Sequence, residues 1–155
     1  RVGVMRARGV YRVMALEDIA PGEEILTASG VTVDRPTRTS LQLGTHEHLE
    51  VSPGLGLERT LDQHPWRFLN HGCEANAAFR GRKLVALVPI RRGEDVTFNY
   101  NATEYDMRDV FACNCGAATC TREDVRGFRY LSRDAQEALR DQLAHHLMHR
   151  LDGDR

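Results

Sequence analysis

Lysine is all but missing from this 155-residue chain: Lys83 is the only one, and every other basic side chain is arginine. That imbalance reads as genome composition bias more than as function. No run of eighteen apolar residues occurs, which excludes a membrane-spanning helix. The formal net charge of −1 excludes an overall basic footprint for nucleic acid. No signal peptide is legible, and a start at Arg1 in place of methionine is consistent with a trimmed N-terminus. Internal repeats and low-complexity tracts are absent as well. What remains, 41% hydrophobic and 28% charged residues, suits one soluble domain with a real core and little room for a second.

The four cysteines are arranged unevenly. Cys73 stands alone in Asn70-His71-Gly72-Cys73, whereas Cys113, Cys115 and Cys120 form Cys-x-Cys-x4-Cys. In a secreted chain four cysteines would suggest two disulfides. Here Cys113 and Cys115 are too close in sequence to pair comfortably, and a structural zinc ion in a reducing compartment is the better account. In an extended segment residues i and i+2 point to the same side, which suits Cys-x-Cys as a ligand pair. Four thiolates leave no open position for water, so a zinc hydrolase is disfavoured. A site closed this way would bring the residues beside Cys73 and Cys120 together, with a cleft between them.

Short strands punctuated by turns predict a mostly β fold. Strands are expected over 10–15, 24–28, 40–43, 49–51, 83–88 and 95–98, with 60–70 open between a short helix and a loop. Ala20-Pro21-Gly22-Glu23 and Arg91-Arg92-Gly93-Glu94 share a turn type. From Ser132, an N-cap candidate, to Leu151, apolar residues at 135, 139, 143 and 147 predict a closing amphipathic helix. His145, His146 and His149 on it read as a solvated face.

Three segments stand out in order: Arg67-Phe68-Leu69-Asn70-His71-Gly72-Cys73-Glu74-Ala75-Asn76, then Gly93-Glu94-Asp95-Val96-Thr97-Phe98-Asn99-Tyr100, then Cys113-Asn114-Cys115-Gly116 with Cys120. Together they resemble the SET-domain protein lysine methyltransferases with a post-SET zinc segment. The family's patterns are Arg-Phe-x-Asn-His-Ser-Cys-x-Pro-Asn, Gly-Glu-Glu-Leu-Thr-Phe-Asp-Tyr and Cys-x-Cys-Gly-x3-Cys. Ala15-x-x-Asp18-Ile19-x-x-Gly22-Glu23 is similar to the family's opening strand and turn. The resemblance runs from about Val10 to Leu131.

It implies a SET-domain fold of several small sheets with a threaded C-terminal segment. The SET domain would span 1–110, the post-SET zinc segment 111–131 and a C-terminal helix 132–155. It also implies S-adenosylmethionine as cofactor on one face and a protein or peptide substrate inserting a lysine through a narrow channel from the other. Neither direct nucleic-acid binding nor a membrane is expected, and the location would be intracellular, cytoplasmic or nuclear. By resemblance Tyr100 orients the amine, Phe98 tunes how many methyl groups fit, and Asn70 and His71 hold the cofactor. Tyr11 lines the cofactor site, and Arg67 binds the cofactor's carboxylate or pairs with an acid. Phe128, with Tyr130 as second choice, covers the adenine. Cys73, Cys113, Cys115 and Cys120 hold Zn2+.

The chain departs from the pattern at several places. Val10-Tyr11-Arg12 stands where the family has Gly-x-Gly, Gly72 replaces Ser, Ala75 replaces Pro and Asn99 replaces Asp. The missing glycines support a second reading, a non-catalytic SET-like module that binds a peptide or protein. A third is methyl transfer to a small-molecule amine.

Overall fold

The two turns of shared type bond to each other. In the computed structural model, which describes residues 1–153, Ile19 and Ile90 exchange both backbone hydrogen bonds, at 2.8 and 2.9 Å. Each turn then closes in the same way. Glu23 accepts from the Ala20 amide and Glu94 from the Arg91 amide, while Gly22 and Gly93 take positive φ of 85° and 90°. The turns therefore act as a matched clasp at the edge of the core, more than two coincidental loops.

Around this clasp lie β1 (Val2–Ala7), β2 (Val10–Ala15), β3 (Glu24–Thr27), β4 (Val31–Val33), β5 (Leu41–Gly44) and β6 (Glu47–Glu50). Then come α1 (Leu57–Gln63), a 3-10 turn at Pro65–Phe68, β7 (Asn70–His71), β8 (Ala77–Arg80), β9 (Lys83–Ala86) and β10 (Thr97–Phe98). The chain ends with β11 (Phe111–Ala112), β12 (Asp124–Val125), α2 (Arg133–Ala138) and α3 (His145–Gly153). These strands form small sheets ordered β3-β9-β8 and β4-β6-β5, with the ribbons β1-β2 and β11-β12 and a parallel pair β7-β10. This is the mostly β architecture the sequence predicts. The ambiguous 60–70 stretch resolves into the end of α1, the 3-10 turn and β7. The strand expected over 95–98 shrinks to two residues.

β1, β4, β8, β11 and β12 were not foreseen, and β7 falls in the stretch left open. β1 pairs with β2 so that Ala7 faces Val10, leaving Arg8-Gly9 as a two-residue turn with φ of 52° and 78°. Such hairpins require positive φ at both central residues. Positions 10–12, where the family has its glycines, consequently sit inside an antiparallel ladder. The Arg12 side chain reaches toward Asp95, at 3.5 Å.

One core gathers Val13, Ile19, Leu49, Phe79, Leu84 and Ile90, all nearly inaccessible. A second, smaller one joins Ala102, Phe128, Leu143, Leu147 and Leu151. The continuous C-terminal helix expected over 132–151 is broken between Leu139 and Ala144; positions 154–155 of the expected 132–155 span lie outside the described residues. Apolar residues spaced strictly by four drift around a helix of 3.6 residues per turn. Extended backbone at Leu143, with the Ala144 amide donating to the Ala102 carbonyl at 2.8 Å, resets the phase. Leu143, Leu147 and Leu151 then share one core.

His146 of α3 bonds the Thr103 carbonyl at 2.7 Å through Nε2, while its Nδ1 is buried without a partner. His48 of β6 is buried with its Nδ1 likewise unpaired. Thus His146, expected on a solvated face, docks α3 instead. Burial is the main cause lowering the pKa of both rings; His146 and His46 further disfavour charge on His48, and Arg150 and His145 do so on His146. Folded pKa values below the ordinary 6.5 mean that acid protonates the unfolded chain preferentially, so this contribution to stability is lost as pH falls below about 6.5. The difference in melting temperature between wild type and His146→Gln should therefore narrow from pH 7.5 to 5.5 in thermal melts. A constant difference would show that His146 is not held neutral.

Candidate active site and zinc centre

The site is built where β7 and β10 run parallel, Thr97 beside Asn70 and Phe98 beside His71. The Gly72 amide extends the pairing by donating to the Phe98 carbonyl at 3.1 Å. A Cβ at position 72 would come within 2.8 Å of Thr97 Oγ1, so the glycine that replaces the family's serine permits this approach. The pairing delivers Tyr100 beside Leu69 and His71. Its hydroxyl donates to the Leu69 carbonyl at 2.5 Å, and its backbone amide donates to His71 Nδ1 at 3.1 Å.

His71 is thereby fixed in one tautomer. Burial alone pulls its pKa down to about 4, leaving the ring neutral. With Nδ1 accepting, the ring proton sits on Nε2, which faces Cys73 Sγ at 3.6 Å. One imidazole spans the distance between the sulfur cluster and the Tyr100 backbone. The Tyr100 phenol is pushed up to about 12, chiefly by burial and secondarily by the charge of Glu104. It stays protonated at neutral pH, with its proton committed to Leu69 and its lone pairs free.

Tyr100 and Phe98 line a cavity of about 140 Å³ together with Leu41, Trp66, Phe79 and Glu104. Phe98 stands edge-on to Phe79 at 5.0 Å and tilted to Tyr100 at 4.9 Å. Arg67 lines the same cavity and not the Asn70 surface. Of its two expected roles it adopts the acid pair, with Glu50 at 3.4 Å, and it donates to Thr39 at 3.1 Å.

Asn70 is half-buried and donates through Nδ2 to the Tyr11 carbonyl at 2.8 Å, tying the first ribbon to the site. Its Oδ1 has no hydrogen bond among the described residues. Tyr11 packs on Phe68 at 5.1 Å. Phe128, expected over the adenine, is 2% exposed and packs in the second core. Tyr130, the second choice, is exposed and stacks under Arg126. The aromatic that does lie against Tyr100 and His71 is Phe111, at 5.9 and 6.1 Å and 39% exposed. Sequence reasoning missed Phe111 and Glu104. An aromatic two residues before Cys113 on an extended segment was the available signal for the first.

The four sulfurs of Cys73, Cys113, Cys115 and Cys120 all lie within 4.8 Å of one another, and none is in a disulfide. Cys113 Sγ is 3.6 Å from Cys73 Sγ and 3.5 Å from Cys120 Sγ. Tetrahedral zinc with bonds near 2.3 Å separates its sulfurs by about 3.8 Å. The cluster fits that ion; burial drives the Cys73 thiol pKa well up, and a bound cation would favour the thiolate instead.

No family model matches the chain. It is 28% identical over 144 residues to histone-lysine N-methyltransferase 2B of Homo sapiens, which spans 78% of this chain and 5% of that protein. It is 30% identical over 131 residues to histone-lysine N-methyltransferase SET9 of Phaeosphaeria nodorum, covering 78% of this chain and 19% of the relative. To the H3 lysine-36 specific enzyme of Yarrowia lipolytica it is 32% identical over 125 residues, with 71% and 16% covered. The chain thus spans less than a fifth of each of these relatives. A crystal structure of KRYPTONITE in complex with mCHG DNA and SAH superposes with a TM-score of 0.59, at 21% identity, over 79% of this chain and 28% of that one. These small sheets around a Cys cluster define the SET-domain fold. The chain carries this fold, and its sequence is similar to those of histone-lysine methyltransferases.

Because metal binding supplies folding energy to segments with little core, stripping zinc-loaded protein with a chelator should abolish amide-exchange protection over 111–125 first. Protection in β3, β8 and β9 should persist. Unchanged protection around Cys113 would show that the sulfurs do not hold the segment.

Proposed function

We propose that this chain is an S-adenosylmethionine-dependent lysine N-methyltransferase acting on a protein or peptide. The observation that carries this reading is the cavity walled by Tyr100 and Phe98, with the Tyr100 hydroxyl anchored to the Leu69 carbonyl. The similarity to histone-lysine methyltransferases supports it. So does a second KRYPTONITE structure, at a TM-score of 0.59, which is in complex with mCHH DNA, H3(1-15) peptide and SAH.

When bound, S-adenosylmethionine supplies an electrophilic methyl group. The residues present fit it at Asn70: the Oδ1 left without a partner suits a positively charged amino group, and Nδ2 is already positioned by Tyr11. His71 contributes its main chain, since its ring is fully engaged between Cys73 and Tyr100. Tyr11 and Phe111 flank this surface. On the cavity side, the Tyr100 oxygen and the Leu69 carbonyl act as fixed acceptors that aim an amine's N–H bonds, and therefore its lone pair. Alignment of this kind, in a cavity screened from water, accounts for much of the acceleration available to an in-line transfer. Phe98 presents no hydroxyl to hold a water or restrain rotation of a methylated amine, so the reading includes products beyond monomethyl-lysine. The sulfur cluster, a zinc site by this reading, fits an intracellular, reducing location.

In calorimetric titrations of zinc-loaded protein, Asn70→Ala should weaken S-adenosylmethionine binding by about tenfold or more. Tyr100→Phe should leave that binding intact and slow turnover by about a hundredfold. Absence of cofactor binding to folded wild type would favour the non-catalytic module. In mass spectra of a lysine peptide under excess cofactor, wild type should pass the first methylation and Phe98→Tyr should stop there. A wild type that stops at one methyl overturns the role given to Phe98.

A further inference from the structure

Glu104 is the one carboxylate among the described residues that lines the Tyr100 cavity without an ion-pair partner. Of the other charges there, Arg67 is paired with Glu50 and Arg38 with Asp109 at 3.4 Å, while Arg108 lines the same cavity with no ion pair among the described residues. Glu104 is held from three directions. Its Oε2 accepts from the Gln42 amide of β5 at 3.0 Å and from Thr103 Oγ1 at 2.6 Å. Its backbone amide donates to the Tyr100 carbonyl at 2.9 Å, and its carbonyl accepts from the Phe128 amide at 2.8 Å. Oε1 takes no hydrogen bond among the described residues.

A carboxylate withdrawn from water with half its acceptor capacity idle and no counter-ion is costly. Burial holds its pKa up, to about 7. Beside it the cavity is walled by the rings of Trp66, Phe79, Phe98 and Tyr100, whose faces attract a cation, and the Tyr100 oxygen and Leu69 carbonyl add neutral acceptors. A single unmatched carboxylate among aromatic faces is complementary to a compact cation on an apolar stem. A lysine side chain reaches a neutral-pH active site as the ammonium, and it must shed water to enter so small a cavity.

We propose that Glu104 is a specificity-determining residue of this site: its free Oε1 binds the ammonium of the entering side chain and selects cationic over neutral guests. The assignment rests on the lysine methyltransferase reading for its biological target, and on the cavity alone for its chemistry. Glu104's rigid placement by β5, the Tyr100 turn and the 126–130 segment makes the selection preorganised. A merely structural Glu104 would accept the same two hydrogen bonds and confer no preference between guests of equal shape.

The test uses butylammonium and the neutral, equally sized 1-butanol as probes, titrated into zinc-loaded protein and followed by NMR of the Phe98 and Tyr100 rings. Wild type should favour butylammonium, and Glu104→Gln, which keeps an acceptor for Gln42 and Thr103, should lose about tenfold or more of that affinity while binding 1-butanol unchanged. Glu104→Asp, retaining charge, should recover part of the preference and guards against a folding defect in the first variant. The proposal is overturned by equal binding of both probes to wild type, by undiminished butylammonium binding in Glu104→Gln, or by no binding of the cation at all. Peptide methylation is measured separately: charge selection without transfer would sink the methyltransferase reading and leave Glu104's role standing.

Discussion

Bringing residues 70–73 into parallel register with residues 97–100 is the constraint on which the site depends. Neither strand exceeds two residues, and isolated pairing of that length has no stability of its own. What sustains it is sulfur: Cys73 at the end of one segment is gathered with three cysteines from the tail, and His71 ties that cluster to the backbone of Tyr100. The same ring keeps its tautomer only while both neighbours are in place. Metal occupancy and the orientation of the Tyr100 turn are therefore parts of one local equilibrium, as expected when a second layer of hydrogen bonds orients a metal site.

The second core gives this arrangement a back wall. Phe128 plugs it from the tail and Leu147 and Leu151 from α3, so the segment between residues 126 and 130 is pressed along residues 104–107. Gly127 makes this contact close. At φ of 120° a Cβ would meet the Tyr105 carbonyl at 2.6 Å, a conformation and a clearance only glycine tolerates. Helix docking, tail placement and the position of Glu104 are thus consequences of one packing arrangement.

Much of this was legible in the sequence because it rests on local chemistry. Pro-Gly and Gly-Glu turns announced β2 and β3, and cysteine spacing announced the sulfur cluster. β1 escaped because Arg8-Gly9 lacks the Asn-Gly or Asp-Gly signature of a two-residue hairpin. β7 and β10 escaped as paired strands because two residues cannot display a period. The burial of Phe128 has a different origin. It packs with Leu143, Leu147 and Leu151, and apolar spacing alone misread the break at Leu139–Ala144 as a continuous helix. Glu104 was invisible for a related reason. Its surroundings depend on Gln42, sixty-two residues away, and charge burial leaves no trace in a local pattern.

The scarcity of lysine acquires a chemical meaning beside such a site. Lys83 stands exposed on β9, with its amine 3.9 Å from Glu24, and within this chain it is the only side chain an amine-directed reagent or enzyme could alkylate. Guanidinium groups carry the rest of the positive surface, remaining protonated at any pH the fold survives and poorly nucleophilic throughout. On the lysine methyltransferase reading proposed above, Lys83 would be the one side-chain amine of this chain to compete for transfer.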